Sequence, residues 1–540
     1  MIRIRTTAAP DKLAISKYLL FALLAVEALA LFLIRLPGTL QFNNFAFFDT
    51  GANLTVQYLI GRGFRPTIDF AYPYGLLTLL IGRVWFRIFG LTPIACVAAI
   101  PLIDILIVWG LVRFATNIKM NLAGVLLFAL TAPLTIPSSF LNLTHGIEPV
   151  FLLHALADQS GGDRRRALAL AVVTFFVKPS MAYFLCLVLL SFIAIECIRD
   201  RSRSFRTIVA EIRPAILVGL GIAAILIASF GPIPVVHSVI PSAGLAVYRA
   251  QGFGFFNGAG RLFLSPKNAP WSYYLANIAG PWIVYTAVLV AAASVVLSRA
   301  LDRGCDVSRT DRTPELIVTC AVLHLSFLLL FFGNELSWIY YFYILVLGLA
   351  ATARLGSKWE VLVLCLAFAF PLTKVYRGAI QLVSPGTQEA RKDTESHAMS
   401  PSTSSSVPDE PRFTYQLWYS TAPSPETAGL WATPDERAEW MKVLAMIRGQ
   451  RASMIEYAGC ADLLFSQFNP PVTLFLMRGG SAANEVSQKL SQLRASSMIV
   501  LPRWHGAVLD QIPEIGVLMR HDFIPAFQGT WFIVYVRRNT

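Results

Sequence analysis

Charge is scarce in this sequence. Asp, Glu, Lys and Arg supply 14% of its 540 residues, against 55% hydrophobic residues, and the mean hydropathy is +0.59. So little charge cannot clothe soluble domains of this length, which leaves a polytopic membrane protein as the class. Cysteine is sparse too: of seven, only Cys460 falls in the hydrophilic C-terminal part, which excludes a disulfide framework or a CxxC metal site there. No small-residue cleavage site follows the first apolar run, Tyr18 to Leu36, which ends in RLPG. That run is expected to be a retained span, and the basic residues before it to be cytoplasmic.

What charge there is leans positive, with Lys+Arg 45 against Asp+Glu 32. The excess sits in short loops between apolar runs, where it marks cytoplasmic loops facing anionic lipid rather than a nucleic-acid surface. Crossing the hydrocarbon takes roughly 20 apolar residues, and the expected spans are 18–36, 74–90, 92–113, 121–137, 143–158, 167–197, 214–232, 279–298, 314–333, 338–353 and 359–376. The basic loops 198–213, 298–312 and 354–360 belong inside, which puts 233–278, 333–338 and everything after 376 outside. GGDRRR (161–166) leaves a choice. Inside, it splits 167–197 into a hairpin turning at VKPS; outside, it keeps one long tilted helix. The single helix is favoured here, because each arm of the hairpin would be short.

The chain therefore divides into an α-helical membrane part (1–384), a Pro/Ser/Thr-rich linker (385–412) with too little apolar surface to fold, and a small extracytoplasmic α/β domain (413–540). In the last, helical periodicity in DERAEWMKVLAMIRGQ and ANEVSQKLSQLRA alternates with the short β-rich runs SMIEYA, VTLFLMR, SSMIVLP and TWFIVYVRR. No internal repeat is visible.

One stretch stands out. Residues 48–75, FDTGANLTVQYLIGRGFRPTIDFAYPYG, set two aspartates, two arginines and four glycines beside apolar runs. Ala52, Val56 and Leu59 share a helical face, so a short interfacial helix is expected with Asp49 at its N-terminal end. Gly61, Gly63 and Pro66 break it, and Tyr72 and Tyr74 return the chain to the bilayer as interfacial aromatics. Asp49 as a plain N-cap and Asp69 as an exposed loop acid are the simpler readings. The same groups also suit transfer of a sugar from a lipid phosphate to a hydroxyl. That reaction needs a carboxylate to take a proton and cations on the leaving phosphate, both at the membrane surface.

FFDTG...LIGRGFRPTIDFAYPYGLLTLLIG...FG resembles the first outer loop and second span of the GT-C class of polyprenyl-phosphate-sugar-dependent glycosyltransferases, which includes protein O-mannosyltransferases and lipid A aminoarabinose transferases. The resemblance implies a many-span GT-C-like fold, for which the apolar runs supply about 11 transmembrane helices, with Asp49 as catalytic base, Asp69 as a second acid, and displacement with inversion. The stretch has no DxD, and the HPP of some relatives is here YPYG, which disfavours protein acceptors. Members using lipid monophosphate sugars commonly work without metal. No cofactor is therefore expected to be required, with Mg or Mn as the alternative.

Other candidates lie further on. His145 and Glu148 stand one helical turn apart in NLTHGIEP, either capping a span or adding an acid to the pocket, and are too few to hold a metal. Lys178, before a proline in an apolar run, either snorkels or meets the donor phosphate, the role that the resemblance implies. Arg62 and Arg65 are further phosphate candidates, and Asp69 would orient the acceptor or a basic partner. Asp104 pairs with another span or serves function, Glu335 would line the pocket, and Arg249 and Arg261 lie in a glycine-rich outer loop that suits a gate. Tyr72 and Tyr74 complete the substrate-binding set.

The expected partners are a polyprenyl-phosphate-linked sugar donor, an envelope glycan or glycolipid acceptor and the lipid bilayer, without nucleic acid. The expected place is the inner membrane, multi-pass, with the C-terminal domain extracytoplasmic. A flippase or transporter of lipid-linked sugars and a non-catalytic scaffold are the rival readings.

Overall fold

The computed structural model describes residues 17–46, 49–70, 72–118, 143–199, 205–240, parts of 286–297, 313–331 and, in the C-terminal part, 416–418, 424–455, 467–469, 483–503 and 506–538. It is mostly helical with a small C-terminal sheet. Among the described residues three helical stretches are long and apolar enough to cross a membrane: Pro93–Asn117, Pro179–Ile198 and Arg206–Phe230. The expected spans 121–137, 338–353 and 359–376 lie outside the described residues, as do the linker, Arg249, Arg261 and Glu335.

The N-terminal helices are α1 (Lys17–Thr39), α2 (Phe42–Ala46), α3 (Asp49–Gly61), α4 (Leu76–Phe89) and α5 (Pro93–Asn117). They are followed by α6 (Leu143–Ser160), α7 (Arg164–Phe175), α8 (Pro179–Arg199), α9 (Phe205–Phe230), α10 (Pro232–Val239) and α11 (Thr313–Phe331). One apolar core joins α1, α5 to α9 and α11 through residues such as Leu24, Leu111, Phe114, Leu156, Phe184 and Leu325.

Polar ties fix one end of this bundle. Arg164 donates to Glu196 at 2.7 Å and to Glu211 at 3.1 Å, joining the start of α7 to the end of α8 and the start of α9. Arg113 on α5 pairs with Asp158 on α6, and Asn117 donates to the Ala157 carbonyl at 2.7 Å. Lys17 lines the same cavity as Arg113 and Asp158. The start of α1 and the end of α5 thus lie together, and α1 runs antiparallel to α5.

That geometry corrects two expectations. Residues 74–90 hold no helix long enough to cross, and everything between α1 and α5 starts and returns at the far end. The 14 residues of α4 reach only about 21 Å, short of a hydrocarbon core of roughly 30 Å. Residues 167–197 form not one long helix but the hairpin α7–α8, turning at Phe176–Lys178. Lys178 precedes Pro179, which biases it away from helical backbone and removes the next N–H. One arm of the hairpin is indeed short, the 12 residues of α7 rising about 18 Å, while α8 is long enough to cross. The hairpin also puts Arg164, Arg165 and Arg166 at the Lys17 end.

The C-terminal part begins with strands β1 (Gln416–Trp418) and β2 (Leu430–Ala432), an antiparallel pair, and helix α12 (Pro434–Ile447). Then come β3 (Ala452–Met454), α13 (Ala483–Ala495), β4 (Met498–Pro502), α14 (Ala507–Gln511), α15 (Pro513–Asp522), β5 (Phe523–Gln528) and β6 (Phe532–Arg537). The four-stranded sheet has the order β3-β4-β6-β5, parallel only between β3 and β4. This α/β unit is not held by its own core alone. Trp440 of α12 packs on Phe42 of α2 at 5.5 Å and on Phe532 at 4.8 Å between ring centroids. Trp431 N–H donates to the Leu40 carbonyl at 2.8 Å. The unit therefore sits on the bundle end opposite Lys17, against the chain that leads into α3.

Candidate functional site

Asp49 opens α3, as its position before TGANLTVQYLI leads one to expect; its side chain lies outside the described residues. The face carrying Val56 and Leu59 is not turned to lipid. It is buried against Tyr72, Tyr74, Leu76 and Phe176. Gln57 Nε2 donates to the Leu79 carbonyl at 3.0 Å and ties α3 to α4.

After α3 the chain turns through Arg62 and Arg65. Arg62 lies over the Tyr58 ring, 5.7 Å from its centroid. Asp69 is more than an exposed loop acid, because its carboxylate closes the turn. Arg65 backbone N–H donates to Asp69 Oδ2 at 2.7 Å, and the Arg65 guanidinium meets the two carboxylate oxygens at 3.1 and 3.3 Å. These bonds, the side-chain one first, hold the Asp69 carboxyl below the usual carboxylate range. The basic partner expected for Asp69 is thus Arg65, and a carboxylate so stabilised is a weak base.

Tyr72 and Tyr74 are buried rather than interfacial. Their rings meet edge to face at 5.6 Å, and Tyr72 Oη shares a hydrogen bond of 3.1 Å with Thr78 Oγ1. They deliver the chain to Gly75, whose N–H donates to the Val177 carbonyl at 2.9 Å, while Leu77 N–H donates to the Phe176 carbonyl at 2.8 Å. A Cβ at residue 75 would overlap the Phe176 carbonyl group, so glycine is what lets the two backbones meet. The turn between α7 and α8 needs these donors, since irregular backbone within the bundle persists only where protein satisfies it.

The next residue, Lys178, is buried, and its Nζ lies 2.8 Å from Glu148 Oε2, also buried, on α6. Snorkelling is therefore not what this lysine does. The structure joins two residues that were separate candidates in the sequence, with Glu148 as counter-charge to Lys178. His145 stands on α6 one turn before Glu148, its side chain outside the described residues. Asp104 is buried in α5.

The sequence reading missed two features. One is Gly75, which the sequence shows as part of the YPYG motif and whose lack of a side chain is the signal for close backbone approach. The polar group Arg113, His154 and Asp158 was also overlooked, although charges within apolar runs are the usual flag for such sites. Among the described residues, no group of three or more His, Cys, Asp or Glu side chains could hold a metal ion. The chain matches no protein-family model, and no curated protein or solved structure is significantly similar to it.

Proposed function

We propose that this protein is a GT-C-like integral-membrane glycosyltransferase that moves a sugar from a polyprenyl-phosphate donor to an envelope glycan or glycolipid on the outer face of the membrane. The observation that carries this reading is the seating of loop 72–77 on the Phe176–Lys178 turn, which sets the buried Lys178–Glu148 pair against the loop assembly that starts at Asp49. Charges inside an apolar bundle are costly and mark function by default. A substrate with a lipid tail and a phosphate head is one that needs charge at that depth.

In this reading Asp49 is the general base. The acceptor oxygen bonds to the anomeric carbon as the bond from that carbon to the donor phosphate breaks, with inversion. The acceptor proton passes to Asp49, and the lipid phosphate leaves with the electron pair. Arg62 and Lys178 serve that phosphate, Lys178 held in place by Glu148, and Asp69 orients Arg65. The gathering of Lys17, Arg113, Arg164, Arg165 and Arg166 at the opposite end favours that end as cytoplasmic, and hence the loop and C-terminal unit as outside.

Asp49→Asn tests the proposal, because Asn caps a helix about as well as Asp. Abundance should stay normal while transfer from a polyprenyl-phosphate sugar, measured with purified protein, falls by roughly two or more orders of magnitude. Near-wild-type transfer would remove the base assignment.

A further inference from the structure

The Lys17 end of the bundle carries a site that the proposed reaction does not use. A cavity of about 320 Å³ is lined there by Lys17, Trp109, Arg113, Asn117, Asp158, Arg166 and their neighbours Asp163 and Gly161. This is within the range of small-ligand pockets. Both signs of charge converge on it. Asp158, 2% exposed, pairs through one oxygen with Arg113. Arg113 is in turn held by His154 Nδ1 at 2.8 Å, and His154 Nε2 lies 3.1 Å from the Leu106 carbonyl. Since a guanidinium can only donate, His154 Nδ1 accepts, and Nε2 carries the proton.

The other oxygen, Asp158 Oδ2, is buried and has no hydrogen-bond partner among the described residues. Arg166 Nε lies 3.5 Å from it, too far for a good hydrogen bond. A buried carboxylate oxygen left so is costly, and it calls for a donor from within the cavity. Around it, Lys17 is exposed and the Arg166 side chain is 64% exposed, which leaves cations at the mouth. Trp109 forms an apolar wall, and Tyr18 and Leu19, 66% and 64% exposed, begin a bare apolar stripe on α1 that continues through Leu23 and Val26.

We propose that this cavity binds a phospholipid headgroup bearing a phosphate and an ammonium, the phosphoethanolamine type, from the leaflet at the Lys17 end. The phosphate meets Lys17 and Arg166, the ammonium donates to Asp158 Oδ2 with Asp163 nearby, and the acyl chains run down the α1 stripe. A phosphate alone would leave the Asp158 oxygen without a donor, and an ammonium alone would leave the mouth cations facing water.

The test uses the full chain, purified in detergent, exchanged into nanodiscs of mixed phosphatidylethanolamine and phosphatidylglycerol, delipidated and read by native mass spectrometry. Wild type should retain phosphatidylethanolamine in preference to phosphatidylglycerol. Lys17→Gln/Arg166→Gln, two exposed positions, should lose that retention by roughly tenfold with unchanged helical circular dichroism. Lys17→Gln/Arg165→Gln, which makes the same change in charge with one residue outside the cavity, should lose less. Equal loss in both double variants would reduce the effect to general surface charge and overturn the site. Equal retention of the two lipids would overturn the ammonium assignment. Thermal protection by millimolar inorganic phosphate as strong as that by short-chain phosphatidylethanolamine would overturn the lipid source.

Discussion

Two acid–base pairs flank the same loop, and they differ in almost everything except charge. Arg65–Asp69 is local, four residues apart, with side chains 61% and 29% exposed. Lys178–Glu148 joins two helices, with side chains 3% and 0% exposed. The first shapes a turn at little desolvation cost, and water and salt dilute it. The second has given up hydration on both sides and persists only because both partners are present. A pair of the first kind can be lost with little effect on the fold, whereas halving one of the second kind takes the opposite charge away from a buried group. The lesson concerns what a mutation there can reveal: loss of activity at Lys178 must be separated from loss of structure, while at Asp69 it need not be.

The largest effect is expected from Lys178→Met. It should destabilise by about 3–5 kcal/mol, because the buried Glu148 loses its cationic partner, and Lys178→Met/Glu148→Leu should recover a large part of that loss. Thermal unfolding in detergent measures both, and equal stability of the single variant and wild type would mean that the buried pair is not coupled. Next in size is Gly75→Ala, which forces the two backbones apart at Phe176. It should cost roughly 1–3 kcal/mol and open the 62–75 segment to limited proteolysis. Unchanged cleavage would show that the contact is dispensable.

The smallest effect belongs to Asp69→Asn, and pH sets its sign. The folded-state value for Asp69 is depressed, so its stabilisation is fully present above the ordinary carboxylate range and disappears as pH falls through the depressed value. The variant should melt slightly below wild type at pH 7 and level with it in strong acid, and added salt should shrink the pH 7 gap. A gap that persists in acid would mean that Asp69 acts by something other than its charge.

Much of the helical framework was legible because apolar runs of sufficient length leave few alternatives, as in α5 and α9. The short helix opening at Asp49 was legible too, since TGANLTVQYLI has one apolar face and glycine follows. Which way that face points was not, because amphipathicity shows that a face will be buried but not against what; for Val56 and Leu59 the cover is the tyrosine pair and Phe176. The VKPS hairpin failed for a related reason. Length alone argues for one helix across 167–197, and only the partner that satisfies the turn, Gly75 a hundred residues earlier, makes a break at that depth tolerable. The Lys178–Glu148 contact was out of reach for the same reason: single residues advertise charge, while pairing depends on how helices associate.

The seating of Trp440, backed by Phe532, on Phe42 ties the first loop to the last part of the chain. During synthesis α2 emerges early, but its apolar cover, Trp440, arrives about 400 residues later. At ordinary elongation speeds that is a delay of roughly 20–80 s. For that interval Phe42 and Phe45 have no C-terminal unit to bury them, and the segment leading into Asp49 cannot take its final packing. Assembly of this end of the molecule is thus a late, long-range event of high contact order, the slow kind. A ribosome that stops before β2 would release a chain with most of its helices made and its first loop still unlatched.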